Sequence, residues 1–235
     1  MLQRDAFIEE ITKKLNQGQS IYFLSADFGA AALDDLRKRF PNNFLHCGIS
    51  EQMMLDLAAG LALEGNQVFV YAMAPFLSLR SIEQTKCGAG LMNLPICLLS
   101  VGIGLGYADA GPTHYSTEDF ACYRAIVGSS IYTPADVPST KLIAEDILKH
   151  PKFSYIRLDR EILPKIYPEF TREDFNKGFK IFGQIDDKKI ALISHGKMLH
   201  KCLEIYNNDP NRFFCVDIFR SKPFPIDLPK TISNC

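Results

Sequence analysis

Residues 44–73 read FLHCGISEQMMLDLAAGLALEGNQVFVYAM, and the fold class turns on them. The run opens on a short β-rich stretch, 44–48, and closes on another, 67–73, where β-branched and aromatic residues gather. Between them Met53, Met54, Leu55, Leu57, Ala58, Ala59, Leu61, Ala62 and Leu63 are apolar nearly all round a helix. Such a helix is expected inside a larger body. A carboxylate, Glu51, opens it, and two readings compete. In one, Ser50 caps the helix and Glu51 complements the positive end of its dipole. In the other, Glu51 is a chemical carboxylate in a low-dielectric site, where it can exchange a proton with a ligand.

Outward from this unit the same alternation continues. Residues 21–27, 94–101, 130–136 and 153–159 read as strands, and 34–40, 77–91, 117–126 and 137–150 as helices. The pattern predicts an α/β fold over 1–160: a doubly wound, mainly parallel sheet with helices on both faces. Ligands gather at strand C-terminal ends in such sheets, which singles out 48–51 and 100–114. Residues 161–178 carry two prolines and no period, and read as a linker. Residues 179–235 hold one more β-α-β unit, too short for an ordinary independent domain, so a partial second α/β domain is expected.

Composition narrows the function classes. With 235 residues, 47% hydrophobic content and a net charge of −1, the chain has material for a core. It offers no basic surface for nucleic acid or an acidic membrane. No apolar run reaches bilayer-spanning length, and the amphipathic, partly acidic start reads as a helix of the mature protein. Seven scattered cysteines without a CxxC pair point to a reducing compartment, the cytoplasm by default, and against a zinc site.

The loop 102–119, GIGLGYADAGPTHYSTED, is the second unusual stretch. Its glycines permit close backbone approach to a ligand, but they form neither a dinucleotide fingerprint nor a P-loop. Taken singly, His114 reads as a surface histidine and Glu118-Asp119 as acids at a helix start. Taken together with 48–52, the loop resembles the transketolase family of thiamin diphosphate enzymes, specifically its pyrimidine-binding domain. Gly48-Ile49-Ser50-Glu51-Gln52 is similar to the family's Gly-Ile-x-Glu-(His/Gln). Gly111-Pro112-Thr113-His114 with Glu118-Asp119 is similar to its Gly-Pro-Thr-His motif. Phe76 to Arg80 with Glu83-Gln84 resembles its aromatic-to-Arg-x-x-Glu-Gln segment, and Ser25-Ala26-Asp27 its first strand end.

The resemblance implies roles. Glu51 would hydrogen-bond a pyrimidine nitrogen of thiamin diphosphate and favour the imino form that removes the thiazolium C2 proton. Phe76 would stack on the pyrimidine, Tyr71 would support the same wall, and Asp27 would lie at the cofactor. His114 would contact the sugar and assist proton transfer. Asp109, Arg4 and Arg160 would bind substrate, the arginines through phosphate. Ala31 and Ser100 stand where the family has a serine and a histidine, which points away from ordinary pentose phosphates towards an unusual, modified or activated sugar. The family's diphosphate- and magnesium-binding domain is missing from this chain. The resemblance therefore implies the C-terminal subunit of a split transketolase-like enzyme, paired in an α2β2 assembly with an N-terminal subunit that holds most of the Mg2+ contacts. A deoxyxylulose-phosphate synthase-like subunit, a 2-oxo-acid dehydrogenase β-like subunit and a non-catalytic regulatory subunit are the alternatives.

Overall fold

The computed structural model describes residues 1–26 and 31–233. In chain order, α1 (Gln3–Asn16) precedes β1 (Ile21–Ser25), α2 (Ala31–Arg39), β2 (Phe44–His46), α3 (Glu51–Leu63) and β3 (Gln67–Met73). A broken helical run follows: π-helical Phe76–Arg80, α4 (Ile82–Gln84) and π-helical Thr85–Leu91. Next come β4 (Ile96–Val101), α5 (Asp119–Ala125), β5 (Ser130–Tyr132), α6 (Val137–Lys149) and β6 (Ser154–Leu158). The remainder is α7 (Arg172–Lys177), β7 (Lys180–Phe182), β8 (Ile190–Ser194), α8 (Lys197–Asn208), β9 (Phe213–Asp217), β10 (Arg220–Lys222) and α9 (Leu228–Ile232).

Seven strands form the main sheet in the order β10-β5-β6-β4-β3-β1-β2. Every pairing in it is parallel except that of β10 with β5. Strand side chains alternate between faces, and here both faces are dry. From β3, Phe69 and Tyr71 join one core cluster, under α1, α2 and α6, while Val68, Val70 and Ala72 join the other, under α3 and α5. Cys97 and Leu99 of β4 divide from Ile96 and Leu98 in the same way. This is the doubly wound, mainly parallel sheet that the alternation of patterns predicts.

Two regions differ from expectation. Residues 161–178, which read as a linker, bury Tyr167, Phe170 and Phe175 in the first core cluster and form α7, capped by the Thr171 hydroxyl. Tyr167 and Phe170 come from irregular backbone, where no period exists to reveal them, and Phe175 from a helix of six residues, too short to show one. Helix α3, expected to be enclosed, leaves Met53 at 50% and Leu57 at 38% exposure. The last stretch forms a three-stranded sheet, β7-β9-β8, and then returns β10 to the edge of the main sheet.

Candidate functional site

Neighbouring strands β1 and β3 send the chain to opposite faces of the sheet. From β1 it passes to α2, whose Leu33 and Leu36 pack in the first cluster. From β3 it passes to the helical run whose Leu77 packs in the second. Where adjacent strands part in this way, a crevice opens past their carboxyl ends. A cavity of about 120 Å3 sits there, lined by Ala26, Ile49, Glu51, Ala72, Met73 and Phe76.

Glu51 is only 3% exposed at the start of α3. The capping reading fails for Ser50, whose hydroxyl donates instead to the Cys47 carbonyl and makes no bond to the helix. The Glu51 carboxylate is held from elsewhere: Arg80 Nη1 donates to its Oε2 at 2.7 Å. The same guanidinium lies over the Phe76 ring, its Cζ 4.2 Å from the centroid. The His114 ring meets Phe76 edge-on, at 5.2 Å and 71°. Glu51, Phe76 and His114 therefore come together, the first two linked by an arginine to which the sequence assigns no role. One signal could have found it. Arg80 follows Phe76 by four residues, a spacing that puts both on one side of a helical turn.

A second crevice opens between β4 and β6, which also exit to opposite faces. Its cavity, of about 380 Å3, is lined by Leu2, Arg4, Val101, Tyr107, Asp109, Asp159 and Arg160. All three expected substrate-binding residues on this side, Arg4, Asp109 and Arg160, thus share one space. Arg160 donates to both Asp109 oxygens, at 2.6 and 3.2 Å, and this hydrogen bonding holds the Asp109 carboxyl below its usual range. Arg4 Nε reaches Asp5 at 2.9 Å and its Nη1 donates to the Tyr71 hydroxyl at 3.4 Å. Tyr71, expected at the wall of the Glu51 site, packs with the cluster on the opposite face of β3 from Ala72 and meets Arg4 instead. Asp27 lies outside the described residues.

Tyr107, absent from the sequence expectations, joins the two crevices. Its ring lies 6.4 Å from that of His114, and the Arg160 Cζ stands 4.7 Å from its centroid. Gly102 makes room for it: with φ at 78°, a Cβ there would stand 2.0 Å from the Tyr107 ring. Beneath the loop, Asp119 at the head of α5 accepts from Arg157 Nε at 2.7 Å and Nη2 at 3.1 Å. Tyr155 also donates to Asp119 and lies 2.9 Å from the Ser100 hydroxyl. Asp119 is therefore a fully buried anchor for the loop that carries His114, not an exposed helix-start acid. Burial holds the Tyr155 hydroxyl well above the usual range for a phenol, so it stays a donor.

A family model described as transketolase, pyrimidine binding domain, matches residues 1–165. A subunit of the apulose-4-phosphate transketolase of Phocaeicola vulgatus is 32% identical over 198 residues, covering 84% of this chain and 63% of that protein. A putative transketolase C-terminal section of Methanocaldococcus jannaschii is 27% identical over 202 residues, covering 85% and 63%. This chain thus spans less than two thirds of the length of these relatives. Among solved structures, a split gene transketolase described as an inactive beta4 tetramer superposes with a TM-score of 0.82 at 23% identity, over 99% of this chain and 76% of that one.

Proposed function

Because this chain belongs to the transketolase family through its pyrimidine-binding domain, we propose that it is the C-terminal subunit of a split transketolase-like enzyme that moves a two-carbon ketol unit between sugars. The observation that carries the reading is the buried Glu51 carboxylate facing a small cavity beside the Phe76 ring. These residues fit the pyrimidine end of thiamin diphosphate: a carboxylate for a ring nitrogen, an aromatic face for stacking and an apolar wall of Ala26, Ile49 and Ala72. When bound, the cofactor supplies the nucleophilic carbon that takes up the ketol unit.

This chain's own part is binding, orientation and proton handling. Glu51 holds the pyrimidine and shares a proton with it, in a site where low dielectric strengthens the contact. Phe76 sets the plane of the ring, and His114, edge-on to Phe76, reaches the sugar's hydroxyl and carbonyl oxygens. Arg4 and Arg160 receive the sugar's phosphate in the neighbouring cavity, with Asp109 ordering Arg160. The relative named for apulose-4-phosphate supports a phosphorylated sugar as substrate.

A partner subunit closes the site, binding the diphosphate and magnesium in an α2β2 assembly. Met53 and Leu57, four apart on α3 and 50% and 38% exposed, with Ile49 just before the helix at 85%, leave apolar surface beside Glu51, which suits a covered face. One relative is named as a subunit of its transketolase and another as a C-terminal section, which supports the same division. Among the described residues, no helix is long and apolar enough to cross a membrane. We place the enzyme in the cytoplasm.

The test is reconstitution with the partner chain, followed by measurement of cofactor binding and ketol transfer. Glu51→Gln is expected to lower turnover by at least ~100-fold while the subunits still assemble. Unchanged turnover would overturn the proposal.

A further inference from the structure

We infer that Arg80 is a positioning residue for the Glu51 carboxylate: it fixes one oxygen so that the other faces the cavity. The inference rests on the reading of Glu51 given above. A glutamate has three side-chain torsions, each with several staggered wells, so Glu51 needs a partner to select one rotamer. Its Oε2 is taken by Arg80 Nη1 at 2.7 Å, a charge-assisted hydrogen bond that selects one rotamer and leaves Oε1 for a ligand. Arg80 is itself held, with its guanidinium 4.2 Å above the Phe76 ring. Among the described residues, Arg80 does not line the cavity, so it acts on the carboxylate and not on the occupant.

Phe76 therefore has two tasks. The residue lines the cavity and its ring also seats the arginine that aims Glu51, so plane and proton partner are set by one rigid unit. Lysine cannot fully replace Arg80, because an ammonium has neither the planar face for the ring nor the directional fork for the carboxylate. The side chain is 40% exposed, so a substitution there leaves no buried orphan charge beyond Glu51 itself.

The experiment uses the reconstituted complex loaded with thiamin diphosphate. It reads two quantities: the cofactor's dissociation constant, and the rate at which its C2 proton exchanges for solvent deuterium, followed by NMR. With Arg80→Gln, exchange is expected to slow about 10- to 100-fold, the scale of a small misplacement, while the dissociation constant stays within about 3-fold. Arg80→Lys should recover part of the exchange. Millimolar guanidinium should restore it in Arg80→Ala, which a merely structural role would not allow. Wild-type exchange in Arg80→Gln overturns the inference, as does loss of exchange that guanidinium leaves unrepaired. Glu51→Gln separates the two levels. If it too exchanges at the wild-type rate, the reading of Glu51 falls; if it is inert while Arg80→Gln is normal, only the role of Arg80 falls.

Discussion

Tyr167, in the irregular stretch after β6, donates its hydroxyl to Asp217 at the end of β9, and both side chains are closed to solvent. The Asp136 carboxylate, which accepts the backbone N–H groups of Ile166 and Tyr167, adds negative charge nearby. Burial pushes the Asp217 carboxyl up to about 8; the Tyr167 hydrogen bond pulls against that rise and Asp136 adds to it.

A pH dependence follows, with a definite sign. An unfolded aspartate loses its proton near pH ~4. Between about 4 and 8 the folded chain keeps a proton that the unfolded chain has lost. The stabilisation from this group is therefore full below about 4 and is lost as pH rises through about 8, with a slope of at most about 1.4 kcal/mol per unit. Asp217→Asn, neutral at every pH, is expected to remove that slope and to be at least as stable as the parent at pH 8. Urea unfolding of both proteins across this range is the check, and parallel profiles would contradict it.

Asp119 and Arg157 form the buried pair beneath the His114 loop. Asp119→Asn is expected to cost about 3–5 kcal/mol, because it leaves a guanidinium without its counter-charge in the interior. Replacing both, as Asp119→Leu with Arg157→Met, should recover most of that loss, since the desolvation of two charges disappears together. Denaturation midpoints of the parent, the single and the double variant decide the matter.

Gly102→Ala tests the joint between the crevices. The new Cβ meets the Tyr107 ring, and the backbone holds a positive φ that alanine resists. A destabilisation of about 1–3 kcal/mol is expected, with a raised KM for the sugar and unchanged cofactor affinity. Adding Tyr107→Ala removes the collision but not the backbone strain, so stability should return only in part.

Much of this architecture was legible because it is written in local periods. QVFVYAM and LPICLLSV announce strands through β-branched and apolar runs, and β3 and β4 sit within them. Glu51 was legible as an acid at the head of an apolar helix. Its pairing with Arg80 was not, since the arginine lies 29 residues away; the four-residue step from Phe76 could place Arg80 beside that ring but not against Glu51. Tyr71 was misplaced for a related reason. A strand of period two settles that residues 71 and 72 face opposite ways, but not which face holds the ligand. The core role of Tyr167 and Phe170 was hidden because irregular backbone has no stripe to read, and that of Phe175 because α7 is only six residues long.

The two crevices rest on different strand pairs, β1 with β3 and β4 with β6, and meet through the rings of His114 and Tyr107 and the Arg4–Tyr71 hydrogen bond. That leaves each crevice with a largely separate frame. On the proposed function, substitutions in loop 102–116 that spare His114 and Tyr107 are expected to alter the second crevice while the helix and strands framing Glu51 stay as they are. A change of accepted substrate would then need only a short stretch of chain to vary.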